Sequence, residues 1–260
     1  MGNIRMRKFL LTIGASLLVT LSGVGLSFAQ DGSDVPDLVP IEISVCSYKD
    51  GKDSDDLDNA NAMMRKWMDD NDAEPFASFQ LDPLFAGEQD FDHVSIGVWA
   101  NGTSMGKDMT QWMASASDER AAFADAVDCS GSTMFTSLNV MEPGEGTGTF
   151  VLTVTDCTVA DGRSTRDAVG ALREYGEYRN ATGSPGGMWV WFPTYGDGNA
   201  DFDFKMASSY ASIEAFGNNF QWNRDNQAYM KRSELFSGLL DCNVARSYNG
   251  STIVNTIPDN

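Results

Sequence analysis

One imidazole, His93, is the only side chain in this sequence with an unperturbed pKa suited to proton transfer near neutrality. A hydrolytic triad would need it as base, and no G-x-S-x-G elbow accompanies it. Its simplest reading is a strand-edge histidine, because it directly precedes the apolar run Val94–Trp99. One His and four Cys leave no residue set for a zinc site, so no metal is expected. Two acidic stretches look like calcium loops, Asp50–Asp58 and Asp197–Asp203. The second places oxygen donors at alternate positions. A calcium loop of the EF-hand kind needs Gly at its sixth position and Glu at its twelfth, and here those are Phe202 and Ser208. Turns that feed a helix explain both stretches.

The aromatic residues suggest binding more than catalysis. Trp99, Trp112, Trp189, Trp191, Phe192, Tyr195 and Tyr210 fall in or just after strand-like segments. Trp189 and Trp191 must share one face of a strand, since side chains alternate with period two. If that face points between two sheets, both indoles line an apolar pocket, with Trp99 a further binding residue and Asn101, Thr103, Tyr195 and Asp203 supplying polarity at its mouth. Packing between sheets is the plainer use of the same residues.

The cysteines show how these segments are arranged. Cys46 and Cys157 each open the pattern C-x-x-x-D-G-[KR]. Their partners follow at nearly equal separations, Cys129 after 83 residues and Cys242 after 85. Such matching reads as a duplication. The first copy spans residues 39–141 and the second 149–254. A Gly/Pro-rich linker, 142–148, lies between them, and 255–260 form a tail.

Each copy carries the same order of elements. A strand comes first, Ile41–Cys46 or Phe150–Cys157. The Asp-Gly turn follows. A helix then shows an apolar stripe, Leu57, Ala60, Met64, Trp67 and Met68 in one copy, Ala168, Ala171, Leu172 and Tyr175 in the other. Ser54 and Ser164 or Thr165 are the expected N-caps. A strand pair comes next, clearest at Val94–Trp99 and Met188–Phe192. A second helical region is expected over Met109–Ala126 and Met206–Leu239, and a last strand over Thr133–Val140 and Val244–Val254. The order β-α-β-β-α-β is the ferredoxin-like unit, and the expected class is α+β. In that topology the first and last strands are antiparallel neighbours, which predicts disulfides Cys46–Cys129 and Cys157–Cys242 in an oxidising compartment.

Residues 1–29 read as a secretory signal peptide. Arg5, Arg7 and Lys8 precede an apolar run, and Ser27-Phe28-Ala29 supplies the small residues for cleavage. Residues 30–38 are expected to be a disordered lead-in. The mature protein is therefore expected in the periplasm or outside the cell, without a membrane span. The net charge of −19, concentrated before residue 147, argues against nucleic acid as a partner. Asn101, Asn180 and Asn249 fit the glycosylation sequon.

Two such units in one chain resemble the dimeric α/β-barrel superfamily, with both halves fused into a pseudo-dimer that needs no second copy. The resemblance lies in element order and repetition. That superfamily includes antibiotic-biosynthesis-type monooxygenases, NIPSNAP-like proteins and haem-containing chlorite dismutase relatives. A haem-binding member would need a proximal ligand, and His93 is the only imidazole. The primary expectation is a non-catalytic protein without cofactor that binds a small apolar or aromatic ligand, or serves an interaction role. The alternative is a cofactor-independent oxygenase or isomerase in which His93, Trp99, Asn101 and Tyr195 position a substrate and move a proton.

Overall fold

The computed structural model describes residues 38–143, 148–196, 198 and 200–258. The expected signal peptide, the lead-in before Leu38, most of the linker and part of the second acidic loop (Asp197 and Asn199) lie outside the described residues.

The first half runs β1 (Leu38–Tyr48), α1 (Ser54–Asp70), β2 (Phe76–Phe85), β3 (His93–Trp99), α2 (Gly102–Ser115), α3 (Ser117–Ala126) and β4 (Val127–Met141). The second runs β5 (Thr149–Val159), α4 (Thr165–Ala181), β6 (Gly186–Tyr195), β7 (Phe204–Tyr210), α5 (Ile213–Asp225), α6 (Ala228–Phe236), β8 (Leu240–Cys242) and β9 (Arg246–Asn255). The class is α+β, as expected. Two helices stand where the sequence predicts one, and the short β8 interrupts the last strand of the second half.

The repeated D-G-[KR] turn is built alike in both halves. Lys52 N–H donates to the Lys49 carbonyl at 2.9 Å, and Arg163 N–H to that of Ala160 at 3.0 Å. Gly51 and Gly162 take φ of 76° and 78°, a conformation glycine adopts without a Cβ penalty. A capping box then starts each first helix. Asp53 caps α1 with Asp56 reaching back, and Ser164 caps α4 with Asp167. The α1 cap is therefore Asp53, one residue before the expected Ser54, because a carboxylate at that place reaches the free N–H of Asp55.

One segment departs from expectation more widely. Phe204–Tyr210 is strand, where a helix was expected from Met206 onward. Its alternation is disguised by Ser208, a polar residue on the helix-covered face.

All strand pairings are antiparallel. Within the first half β1 pairs with β3 and β4, and β2 with β3. Within the second, β5 pairs with β7, β8 and β9, and β6 with β7. The halves join edge to edge through β2–β9 and β4–β6, so eight strands close into one barrel. This answers the edge-strand problem, since closure leaves no row of unpaired N–H and C=O groups around the ring. Cys46 and Cys129 are direct neighbours in β1–β4, and Cys157 and Cys242 in β5–β8. Both expected disulfides form. They fit an oxidising compartment.

Every barrel strand sends side chains inward. Ile41, Leu81, Val94, Ile96, Phe135, Leu152, Val154, Trp191, Ala207 and Tyr248 form one buried cluster. An eight-stranded barrel is just wide enough for side chains to fill it. The helices cover the outer face. Among the described residues no helix is long and apolar enough to cross a membrane.

Candidate functional site

The expected site residues do not share one space. Trp189 and Trp191 do face inward and pack into the barrel core. The space left beside Trp191 is only about 120 Å³, bounded by Ile43, Leu81, Val94, Lys205, Arg246 and their neighbours. Lys205 and Arg246 both bind Asp156 there, each at 2.5 Å. Burial works against ionising Asp156, but the Lys205 bond and charge, with Arg246 and Asn243, hold it below the usual carboxylate range. Trp99 is buried on the helix-covered side, where its indole N–H donates to Asp108 at 2.8 Å. Asn101 caps α2, accepting from the N–H groups of Thr103 and Ser104 at 2.9 Å. Tyr195 ends β6 and is 73% exposed. His93 is fully buried, with neither ring nitrogen bonded to another group of the protein. Burial pushes its pKa down against the opposing charges of Asp82 and Asp92, so it is held neutral.

The large cavity lies elsewhere, between the outer face of the second half and its helices. Its volume is about 820 Å³. Alternate residues of the strands floor it: Thr153 and Thr155 of β5, Met206, Ser208 and Tyr210 of β7, Met188 of β6 and Ser247 of β9. Helices α4, α5 and α6 wall it with Tyr175, Arg179, Phe216, Asn219, Trp222 and Tyr229. The α4 wall is fixed by close approach. A Cβ at Gly176 would collide with the Val140 carbonyl of β4, so only glycine lets this helix sit so near the sheet.

Arg179 is the unusual member. It lies on the stripe of α4 that carries Ala168, Leu172 and Tyr175, and it is 4% exposed. Its Nε donates to Ser184 Oγ at 3.0 Å and its Nη1 to Ser208 Oγ at 3.2 Å. Its Nη2 has no protein partner, and neither does Oδ1 of Asn219. The guanidinium carbon lies 5.9 Å from the centre of the Trp222 ring, a cation–π distance. Tyr210 faces Arg179 and Asn219. Burial raises its pKa, and those two neighbours only partly oppose the rise, so its hydroxyl keeps its proton. Tyr175 is raised by burial too, with Arg179 and Arg232 opposing. The lining holds two arginines and no Asp or Glu, in a protein of net charge −19.

The first half is closed at the matching place. Met68 stands as far from Cys46 as Arg179 does from Cys157, and Trp99, Asp108 and Trp112 stand where the second half has Tyr210, Asn219 and Asn223. Trp67, Met68 and Ala116 are packed there with Trp112 and Phe76. Residues that seal the first half are thus replaced by smaller or polar ones that open the second. Sequence reasoning missed Arg179, Ser208, Asn219 and Trp222. The signal was a charged residue on an otherwise apolar helical stripe.

No known family profile matches this chain, and no curated protein matches it either. Solved structures do. A candidate monooxygenase from Lactobacillus acidophilus NCFM superposes with a TM-score of 0.55 at 11% identity, covering 84% of this chain and 95% of that one. Chlorite dismutase from Candidatus Nitrospira defluvii, in complex with imidazole, gives 0.50 at 10% identity, covering 83% and 92%. The likeness is one of fold, and these neighbours are dimeric α/β-barrel proteins. The expected non-catalytic role is corrected by this finding. These two neighbours on the fold are named as a monooxygenase and a chlorite dismutase.

Haem does not fit the residues present. His93, the only imidazole, lines neither cavity and is sealed within the strands. The large cavity offers no histidine, and all four cysteines are bridged. The thioethers of Met188 and Met206 serve haem iron as companions to a histidine, which is lacking here.

Proposed function

We propose that the protein is a cofactor-independent oxygenase or isomerase that takes its substrate in the second-half cavity. The observation that carries this reading is the 820 Å³ space itself, with aromatic walls around the protonated Tyr210 hydroxyl and the amide of Asn219. Without a cofactor, an oxygenase works on a substrate whose own anion can reduce O₂. An isomerase works on one whose anion is reprotonated at another carbon. Both pass through an oxyanion that is stabilised by a donor placed in advance in a low-dielectric site. Tyr210 is such a donor. No lining side chain is a carboxylate or imidazole that could act as base. The substrate must therefore be acidic enough, as a phenol or 1,3-dicarbonyl compound is, to lose its proton to solvent water on entering the positive field of the arginines.

Aerobic incubation with a panel of such compounds, followed by O₂ consumption and absorbance, tests the reading. A substrate is expected whose turnover falls about 10²-fold in Tyr210→Phe. Turnover untouched by both Tyr210→Phe and Asn219→Ala would refute it.

Two further readings belong with this one. A duplicated origin of the halves is supported by the two C-x-x-x-D-G patterns and by the matched element order. Export to a periplasmic or extracellular space is supported by the two disulfides.

A further inference from the structure

Arg179 is the only buried lysine or arginine among the described residues, and none of the ion pairs found among them includes it. Other sheltered cations have counter-ions: Lys205 and Arg246 share Asp156, and Lys231 binds Glu174. A guanidinium held away from water without an anion is unfavourable unless something else supplies the charge. Here it is held by two serines that fix its plane and leave one edge free. Nothing acidic lines the cavity around it, although acids outnumber bases two to one in the sequence.

We propose that this cavity binds a carboxylate carried on an apolar ring system, with the acid group on Nη2 of Arg179. The proposal rests on the cavity being the substrate site, and it names the class of molecule that enters. Nε and one N–H of Nη1 are already bonded to Ser184 and Ser208, so Nη2 is the terminal nitrogen left without a partner. The single buried guanidinium charge matches a singly charged carboxylate. The Asn219 amide can turn either its oxygen or its nitrogen to the same group. The ring system lies against Tyr175, Phe216 and Trp222. Phe220 and Tyr229, exposed at the mouth, extend the apolar surface toward solvent.

Calorimetric titration of the intact protein with 2-naphthoate and with 2-naphthamide separates the claims. The two probes match in shape and differ in charge. The acid is expected to bind about tenfold or more tightly than the amide. Arg179→Met places in the second half the residue that Met68 supplies to the first, and it is expected to erase the difference. Asn219→Asp puts a carboxylate beside Arg179, as Asp108 stands in the first half, and is expected to erase it as well. This variant decides the matter if Arg179→Met does not fold. Equal binding of acid and amide overturns the carboxylate inference while leaving the cavity as a binding site. Preference for the acid that survives in the folded variants overturns it too. Binding of neither probe overturns both this inference and the use of the cavity as substrate site.

Discussion

Trp99 donates its indole N–H to the Asp108 carboxylate across 2.8 Å, with both side chains buried. Burial pushes Asp108 above the usual carboxylate range. The Trp99 bond pulls it down, and the charge of Glu74 adds to the rise. A carboxyl with a higher pKa folded than unfolded binds more protons in the folded state. Its stability contribution therefore falls as pH rises from the unfolded value through the folded one. Asp108→Asn keeps an acceptor for Trp99 and removes the charge. It is expected to raise stability at pH 7 by about 1 kcal/mol, a gain that disappears below about pH 3.8. Urea unfolding at the two pH values checks this, and a loss of stability at pH 7 would contradict it.

Arg179→Met is expected to stabilise the fold while harming function. The wild-type side chain keeps a charge in a cavity without a counter-ion, at a cost that two hydroxyl bonds only partly offset. Replacing unfavourable buried polarity with an apolar side chain of similar length is often neutral or favourable, by up to about 1–3 kcal/mol. Thermal unfolding should show an equal or higher midpoint. A clear drop would mean that the guanidinium holds α4 to β7 more strongly than its two hydroxyl bonds indicate.

Breaking either disulfide should shift one transition and leave it single. Each bridge closes a loop of over eighty residues, worth roughly 4–5 kcal/mol in the chain-entropy picture. Both bridges sit within a half, yet β2–β9 and β4–β6 make the halves share one barrel and one core. Calorimetry of a Cys46→Ser/Cys129→Ser variant should give a lower midpoint and one peak. Two separated peaks would show that the halves unfold independently.

The topology was legible because cysteine is informative in register. A residue that must touch its partner across a first-to-last strand pair reports that pairing directly, as Cys46 opposite Cys129 does. Local periodicity located α1, α4, β3 and β6 for the same reason that they fold: one face of each is apolar. That Trp189 and Trp191 share one face of β6 could be read as well; that this face points inward could not. What could not be read was how much space eight strands leave among their side chains, and so the expected inter-sheet pocket is small. The larger cavity depends on differences between matching positions, Arg179 against Met68 and Tyr210 against Trp99. Those differences gain meaning only once both halves are seen around one barrel.

His93 and Phe204 stand at the same place in the two halves, His93 opposite Cys46 and Phe204 opposite Cys157. Both are fully buried. The imidazole has no partner for either nitrogen, and burial lowers its pKa below the ordinary 6.5 despite Asp82 and Asp92. The unfolded chain therefore binds a proton at higher pH than the folded one does. In the interval between the lowered value and 6.5, stability rises with pH, and on acidification it is lost by up to about 1.4 kcal/mol per unit. His93→Phe installs the ring that the second half already accommodates and removes the titrating group. This variant should match the wild type near pH 8, exceed it near pH 5, and show a shallower slope between. Denaturant midpoints across that range measure the slope, and a slope unchanged by the substitution would place the acid sensitivity in other groups.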